Sequence, residues 1–295
     1  MSPGRAGAGI VIRPLRPADL EPLRQAHNAA LPAARLTPAG FRHRLQSGRV
    51  WVLLEAGRPL AYARARPVPG LPHLANLQGC VAPAEQRRGL GSRLLGQILA
   101  DLRGGPISLL THAVASLEGA SAAFLLAHGF TVEHEERSLV RDQLDRLPPA
   151  ELPAGYALRS LGRAAAAALF RQLYAQSFGG LAWHQAYLSD AEVAAELSDP
   201  ADLLFLYHGP APAGFAWLRW AETAEAQIEP IGLIPAYQGR GLGRALLLAA
   251  LAELRAQGAE RVRLGAWSDN QRALRLYAAL GFRPEGSLTY LGRRT

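Results

Sequence analysis

The sequence contains no lysine, and all 32 of its basic residues are arginine. This absence excludes a Walker-type phosphate loop, a protein-kinase site and a lysine Schiff base with pyridoxal phosphate. Cysteine is almost as scarce: the single Cys80 excludes an intramolecular disulfide and a zinc site built from several cysteines. The eight histidines show no metal-ligand spacing. We therefore expect no metal.

Long apolar runs are also absent. The longest, residues 245–252, has eight residues, whereas a membrane-spanning helix needs about 20. The first five residues, MSPGR, have no apolar stretch behind them that could form a signal peptide. We expect a soluble, cytoplasmic protein with no membrane partner.

The remaining composition is that of a folded protein. The chain has 295 residues, of which 49% are hydrophobic and 19% charged, and a length of this order favours two domains at roughly 150 residues each. The net charge of +8 favours anionic ligands. Nucleic acid is not expected as a partner, because no basic run is interleaved with aromatic residues.

An internal repeat runs through the chain. The hexapeptide QRRGLG at residues 86–91 recurs as QGRGLG at residues 238–243, an offset of 152 residues. The flanking residues keep the same offset: Pro83 and Pro235 precede the hexapeptides, and the pairs Gly129-Phe130 and Gly281-Phe282 follow them. A strand end, a loop and a helix end in step indicate a duplication.

The proline-rich segment 148–153, PPAELP, predicts the boundary between the two copies. Its prolines disfavour a regular strand or helix and suit a semi-rigid linker. We therefore predict an N-terminal domain at residues 1–147 and a C-terminal domain at residues 154–295.

The second half predicts strands that alternate with helices. The strands are expected at residues 203–207, 214–220, 227–234 and 262–266, and the helices at 242–257 and 271–280. Gly258 and Gly281 suit the ends of these two helices, and Ser268, Asp269 and Asn270 offer capping side chains. This order predicts an α/β fold with a mixed sheet.

The glycine hexapeptide lies between a predicted strand and a predicted helix in each half. Glycines at its fourth and sixth positions leave backbone N–H groups accessible at a helix N-terminus, which suits an anion. Arg88 or Arg240 could add a charged contact. The alternative is an ordinary glycine-rich turn; a dinucleotide fingerprint does not fit the glycine spacing.

The combination of strand, proline, Gln-x-x-Gly-x-Gly and helix resembles the acyl-CoA-binding motif of the GNAT superfamily of N-acyltransferases. Residues 270–282, NQRALRLYAALGF, resemble the second motif of that superfamily. The resemblance covers both halves and is most specific in the second. The tandem arrangement is similar to that of the mycothiol synthases, a two-domain branch of the superfamily.

The resemblance implies a fold and a cofactor. Each half is expected to be a mixed, twisted sheet flanked by helices, whose central strands splay apart, with acetyl-CoA as co-substrate. The pantetheine arm would lie in the gap and pair with the backbone near Ile231 and Leu233. The remaining cofactor-binding candidates are Gln238, Gly239, Arg240, Gly241, Leu242, Gly243, Arg244 and Asn270. A possible second cofactor site in the first half consists of Val81, Gln86, Arg87, Arg88, Gly89, Leu90 and Gly91.

Tyr277 is the first catalytic candidate. Its spacing places it on one helix face with Ala273 and Leu280, where its phenol is the only polar group on an apolar stripe. The resemblance implies that it acts as general acid and protonates the coenzyme A thiolate. The alternative is a core tyrosine whose hydroxyl is hydrogen-bonded.

Glu229 is the second catalytic candidate. In a regular strand it shares a face with Ile231 and Leu233, and burial there would raise the pKa of its carboxyl toward neutrality. Such a group suits a general base that accepts a proton from an ammonium substrate, directly or through water. The alternatives are a carboxylate paired with arginine, or one that only binds substrate.

The first half departs from the pattern at both catalytic positions. At the offset of 152, Tyr277 corresponds to Leu125, Glu229 to Leu77 and Asn270 to Glu118. The first half is therefore expected to be catalytically degenerate and either to bind a CoA-like ligand or only to pack.

The acceptor is predicted only as a class. Trp183, His184 and Tyr187, together with Phe178, lie in the segment that covers the acceptor site in the family. The sequence thus predicts an acetyl-CoA-dependent N-acetyltransferase of a small-molecule or peptide amine, catalysed in the second half. The alternative is a non-enzymatic acyl-CoA-binding or sensing protein; the oligomeric state is left open.

Overall fold

The computed structural model describes residues 9–68, 71–181, 189–222 and 224–295, with the backbone alone at positions 221 and 222. The chain forms two compact units. The first unit comprises Met1–Glu133 and Tyr290–Thr295, and the second comprises His134–Thr289. The proline-rich segment 148–153 thus lies inside the second unit. The two units are defined by how the chain packs, whereas the predicted boundary separates two copies of a sequence repeat. The boundary at residues 148–153 therefore stays a prediction.

The first unit is an α/β layer structure. Its helices are α1 (Leu20–Ala30), α2 (Pro38–Leu45), α3 (Leu90–Leu102) and α4 (Ala120–Ala127). Its strands are β1 (Ile10–Pro14), β2 (Arg49–Glu55), β3 (Arg58–Val68), β4 (Leu71–Val81) and β5 (Leu109–Val114), in that order across the sheet. Strands β1 to β4 pair antiparallel, whereas β4 and β5 are parallel. The parallel pair requires a crossover, and α3 provides it.

The alternation of side chains on β2 explains why helices cover both faces. Trp51 and Leu53 pack in the core that contains α3 and α4. Val50 and Val52 point to the other face and pack with residues of α1 and α2. The sheet therefore lies between two helical layers.

The second unit repeats this design. Its helices are α5 (Arg163–Phe178), α6 (Asp190–Glu196), α7 (Leu242–Ala256) and α8 (Gln271–Ala279). The remaining strands are β6 (Thr131–Arg141), β7 (Tyr156–Arg159), β8 (Leu203–His208), β9 (Ala211–Glu222), β10 (Glu225–Leu233), β11 (Arg261–Trp267) and β12 (Arg283–Arg294). Within this unit the order β6-β11-β10-β9-β8-β7 holds, with β10 and β11 parallel.

Alternating side chains of β8 again separate two cores. Leu204 and Leu206 pack with α7 and α8 on one face, whereas Leu203 and Phe205 pack with α5 on the other. Phe170 of α5 is fully buried in the second of these cores. Helix α5 is thus anchored against the sheet face opposite α7.

The ends of α7 and α8 lie at the glycines that the sequence predicts for them, and α8 begins at its predicted cap. Gly258 and Gly281 adopt φ angles of +96° and +78° after α7 and α8, the left-handed conformation that glycine favours. The side chain of Asn270 caps α8 by accepting a hydrogen bond of 3.1 Å from the Ala273 N–H. The predicted helices and their signals are confirmed.

The central parallel strands splay apart in both units. Pairing of β10 with β11 ends at Gln227 and Arg263, although both strands continue. Pairing of β4 with β5 likewise ends at Asn76 and Thr111. The mixed, splayed sheets expected from the resemblance are therefore confirmed.

Strand β10 is not regular, contrary to expectation. Its register against β9 shifts between Ile228 and Ile231, so Glu229 and Pro230 have no partners in the ladder. The alternation rule that would place Glu229 on one face with Ile231 and Leu233 does not hold across such a shift.

Two segments belong to a different unit from the one that the predicted boundary gives them: residues 134–147 belong to the second unit and residues 290–295 to the first. Residues 136–141 of β6 pair with β11 of the second unit. At the C-terminus, the Thr295 N–H and hydroxyl donate hydrogen bonds of 3.1 and 2.9 Å to the carbonyls of Ser108 and Ile107 in the first unit. In the described parts of the chain, no helix combines the length and apolar character needed to cross a membrane.

Candidate active site

A large cavity opens in the second unit where β10 and β11 separate. Its volume is about 1290 Å³, and α5, α7 and α8 contribute to its walls. Most of the predicted site residues of this unit line it: Glu229, Ile231, Leu233, Gln238, Gly241, Gly243, Arg244, Asn270 and Tyr277. Gly239, Arg240 and Leu242 are not among the lining residues.

The glycine loop at one end of the cavity leaves room for a ligand. Gly239 and Gly241 have φ angles of +82° and +77°, and a Cβ on Gly241 would meet no atom within 4 Å. Gly241 is the N-cap of α7 and offers no capping side chain. The N–H groups of Leu242 and Gly243 therefore stay available at the helix N-terminus, which suits an anion such as a pyrophosphate.

Individual loop residues take different parts. Gln238 donates a hydrogen bond of 2.9 Å to the Leu233 carbonyl and ties the loop to β10. The side chain of Leu242 is buried in the core, so only its main chain can reach a ligand. Arg240 lies over the ring of Tyr237, 5.7 Å from its centroid.

Two arginines line the cavity near the loop. Arg244 was predicted from the hexapeptide, whereas Arg272 in the first turn of α8 was not. The Arg272 guanidinium would lie 4.0 Å from a Cβ on Gly239. The signal for it was its place two residues after the capping residue Asn270, in the second segment that carries the resemblance.

Glu229 lies at the other end of the cavity, in the break of β10. Its Oε2 accepts a hydrogen bond from the Gln227 amide, and its main-chain carbonyl accepts one of 3.1 Å from Arg219 Nε. The carboxylate reaches over β11, where a Cβ on Gly265 would lie 3.7 Å from Oε2. Gln227 was not predicted as a site residue.

Glu229 is exposed to the open cavity, although neighbouring protein still desolvates its carboxylate in part. Burial raises the pKa of Glu229 above its ordinary value. The hydrogen bond from Gln227 opposes this rise in pKa, the charge of Glu136 adds to it, and the charge of Arg219 opposes it. A carboxylate with a raised pKa can accept a proton near neutral pH.

Tyr277 projects from α8 and is 6% exposed. Within the described residues its hydroxyl makes no hydrogen bond, and its ring lies 6.0 Å from that of Phe282. Burial, and next the negative charge of Glu229, raise the pKa of Tyr277 to about 12. The phenol therefore keeps its proton at neutral pH and is available there as a hydrogen-bond and proton donor.

Helix α5 forms one wall of the cavity, and only one of the residues that it contributes was a candidate from the sequence. Phe178 lines the cavity as the aromatic cluster suggested, together with the unpredicted Tyr174 and Ser177. Burial, and next the charge of Glu229, raise the pKa of Tyr174. Among the residues that the structure describes, the buried Ser177 hydroxyl has no hydrogen-bond partner. Trp183, His184 and Tyr187 lie outside the described residues.

The first unit keeps the backbone of the loop. Gln86 donates a hydrogen bond of 3.2 Å to the Val81 carbonyl, as Gln238 does to Leu233. Gly89 has a φ angle of +77° and, like Gly241, open space at its Cβ position. Arg87 takes the place of Gly239 with a φ angle of +64°. The side chain of Leu90 is buried in the core.

The side chains around the first loop differ from those of the second. Arg88 is bound by Glu55, with contacts of 2.8 and 3.1 Å, and also by Glu85. A Cβ on Gly91 would lie 3.3 Å from the Phe124 ring. The loop arginine of the first unit is thus engaged by carboxylates of the protein itself.

Metal-binding clusters are not found: the described residues contain no group of three or more His, Cys, Asp or Glu side chains that could hold an ion. The polar groups that line the cavity are backbone N–H groups, arginines, carboxylates and phenols.

Comparisons with known proteins agree with this geometry. Residues 164–282 match a model described as "Acetyltransferase (GNAT) family", and residues 46–132 match one described as "Acetyltransferase (GNAT) domain". The chain is 35% identical over 214 residues to a mycothiol acetyltransferase of Actinosynnema mirum, covering 68% of this chain and 69% of the relative.

Two further comparisons span more of the chain. A mycothiol acetyltransferase of a Nocardioides species is 29% identical over 282 residues, covering 88% of this chain and 89% of the relative. A tandem GNAT protein from the clavulanic acid biosynthesis pathway superimposes with a TM-score of 0.63 at 21% identity, covering 97% of this chain and 98% of that protein. The chain therefore belongs to the GNAT family of N-acetyltransferases, as a tandem member with one family match in each half.

Proposed function

We propose that this acetyltransferase moves an acetyl group from acetyl-CoA to an amine and that the reaction takes place in the second unit. The observation that carries the proposal is the shared cavity: Glu229, Tyr277 and the open glycine loop at Gly241 all line it. The first unit has Leu77 and Leu125 at the positions of Glu229 and Tyr277.

The acetyl thioester would supply the carbonyl carbon that the amine attacks. Glu229 accepts the proton that the ammonium group of the acceptor must lose before nitrogen can attack, and its raised pKa suits that step. The C–N bond forms and the C–S bond breaks. Tyr277, whose high pKa keeps the phenol protonated at neutral pH, gives its proton to the departing sulfur. The second proton, which the new amide nitrogen loses, restores the phenol.

The loop end of the cavity would hold the rest of acetyl-CoA. The accessible N–H groups at the start of α7, together with Arg244, suit the pyrophosphate. The backbone of Ile231 and Leu233 borders the gap between the strands and suits the amides of the pantetheine arm. Asn270 already caps α8 and would contribute through the position of that helix as well as by direct contact.

The acceptor would be a polar amine. The end of the cavity near Glu229 is lined by polar side chains from three elements, among them Glu136, Tyr174, Ser177 and Gln227. The relatives named mycothiol acetyltransferases support an acceptor related to mycothiol. Other small-molecule amines and peptide amines stay in the panel that a test must cover.

The experiment is a thiol-release assay of the purified protein with acetyl-CoA against a panel of amines, including mycothiol precursors, amino sugars, polyamines and peptides. We expect amine-dependent release of coenzyme A, with the acetylated amine identified by mass spectrometry. The double variant Glu229→Gln/Tyr277→Phe is the control. Tight binding of acetyl-CoA without turnover of any amine would favour the non-enzymatic acyl-CoA-binding function instead.

A further inference from the structure

Gln227 occupies the last position of β10 that is paired with both neighbouring strands. It is paired on both sides, with Arg219 of β9 and with Arg263 of β11. The ladder with β11 ends there, and the ladder with β9 resumes only at Ile231. Gln227 is therefore held by the sheet, whereas Glu229, two residues further, is not.

Glu229 has no partner in the sheet, but a contact between its side chain and that of Gln227 holds it in place. The Gln227 amide donates a hydrogen bond to Oε2 of Glu229. A carboxylate can only accept hydrogen bonds, so the amide NH₂ must face it. Within the described residues, Oε1 of Glu229 has no hydrogen-bond partner, which leaves it open to an acceptor molecule in the cavity.

Two arginines near Glu229, Arg219 and Arg263, are engaged elsewhere. Arg219 donates to the main-chain carbonyl of Glu229 and to Glu196, at 3.1 Å each. Arg263 bonds to Glu225 at 3.1 Å and to Glu285 at 3.2 Å. A neutral amide is thus the donor that the structure gives to the carboxylate. An amide stabilises the ionised carboxylate but leaves its negative charge in place, whereas a guanidinium would offset that charge.

We propose that Gln227 is a positioning residue, which fixes the Glu229 carboxylate in its ionised form with one oxygen open to the acceptor. The inference rests on the proposed function, in which Glu229 takes a proton from the amine. Gln227 itself touches neither substrate nor reacting atoms in this role and acts only through Glu229.

Several other charged or titratable groups face Glu229 and also influence the pKa of its carboxyl. The expected effect is therefore the difference in that pKa between the wild type and the Gln227 variant. Glu136 comes from β6, Arg219 from β9, Tyr174 from α5 and Tyr277 from α8. Further charged residues line the same cavity: Arg137, Glu225, Arg263 and Glu285. Loss of the Gln227 hydrogen bond leaves all of these in place. It removes one interaction that lowers the pKa of Glu229, so that pKa must rise.

The test replaces Gln227 by methionine, which has a similar length and no amide. The matched control is Gln257→Met, because Gln257 also donates to a carboxylate, Glu253 Oε1 at 2.9 Å, on the exposed end of α7. The primary measurement is the pH titration of the Glu229 carboxyl by ¹³C NMR, assigned by its absence in Glu229→Gln. We expect an upward shift of about one pH unit in Gln227→Met, the size of one hydrogen bond to a charged group, and none in Gln257→Met.

The second measurement is the pH dependence of kcat/KM with acetyl-CoA and the most active amine of the panel. The acidic limb should move upward by the same amount as the NMR titration, while the KM for acetyl-CoA stays unchanged. An NMR titration of Glu229 that is the same in Gln227→Met and wild type would overturn the inference, whatever the rates. If the titration shifts but neither Gln227→Met nor Glu229→Gln alters the limb, the base role of Glu229 is wrong, and the proposed function fails rather than the contact.

Discussion

The imidazole Nδ1 of His112 donates a hydrogen bond of 2.7 Å to the main-chain carbonyl of Leu77. His112 and Leu77 directly follow Thr111 and Asn76, the last residues at which β5 and β4 pair with each other. The imidazole therefore bridges the strands where they begin to separate. At the repeat offset the same positions are Leu264 and Glu229, and both line the cavity of the second unit. One unit spans its strand gap with a side chain, whereas the other places its candidate base there.

We accordingly expect one molecule of CoA to bind per chain. His112 occupies the carbonyl of Leu77, and Arg88 is bound by Glu55 and Glu85. A ligand in the first unit would have to displace these contacts, whereas Gly241 and Gly243 of the second unit already border the cavity. Calorimetric titration of the full chain with CoA gives the stoichiometry directly. Two sites of similar affinity would contradict the expectation and make the first loop a functional cofactor site.

Tyr277→Phe should lower kcat by about 10²–10⁴-fold, the usual contribution of general acid catalysis. The ring and its packing stay, and the hydroxyl has no hydrogen bond to lose within the described residues, so the affinity for acetyl-CoA should change little. Pre-steady-state measurement with chemistry rate-limiting is the check. Because the pKa of Tyr277 is about 12, its deprotonation should produce no alkaline limb at ordinary assay pH. A variant that turns over at the wild-type rate would exclude the general-acid role.

The features of this site that could be predicted from the sequence are those formed by one continuous segment of the chain. The loop at residues 238–243 could be predicted, because glycine, proline and the helix that follows form one continuous segment. Its repetition at residues 86–91 and the caps at Asn270 and Gly281 are equally local signals. Helices α7 and α8, which follow the loop and the cap, begin where they were expected and end one residue before their expected ends.

The surroundings of Glu229 could not be predicted in the same way. The alternation rule assumes a regular strand, and the register shift between Ile228 and Ile231 removes that assumption. Tyr174 and Ser177 enter the cavity from α5, a helix distant in sequence, so no spacing within the motifs points to them. The contact-defined units also divide the chain before the prolines, because β6 residues 136–141 pair with β11.

Glu229→Gln should lower the rate most at neutral pH and flatten the acidic limb of the pH–rate profile. A base works only when ionised, so activity falls as the pH drops through its pKa. Because desolvation raises the pKa of Glu229, that fall should occur at a higher pH than for a glutamate of ordinary pKa. The amide keeps the shape but cannot take a proton. If the limb persists and only the KM of the amine rises, Glu229 binds the acceptor without acting as base.

Gly241→Leu should abolish turnover, whereas Gly89→Leu should leave it largely intact. The two glycines form a matched pair: both have a φ angle of +77°, and a Cβ on either would meet nothing within 4 Å. A side chain in this left-handed conformation costs about 1–2 kcal/mol in either unit, so the two variants should lose similar stability in thermal unfolding. The difference in turnover then reports the ligand space and not the fold, because only at Gly241 would the side chain occupy the place of a bound pyrophosphate. Turnover lost in a folded Gly89→Leu and kept in Gly241→Leu would make the first unit the catalyst.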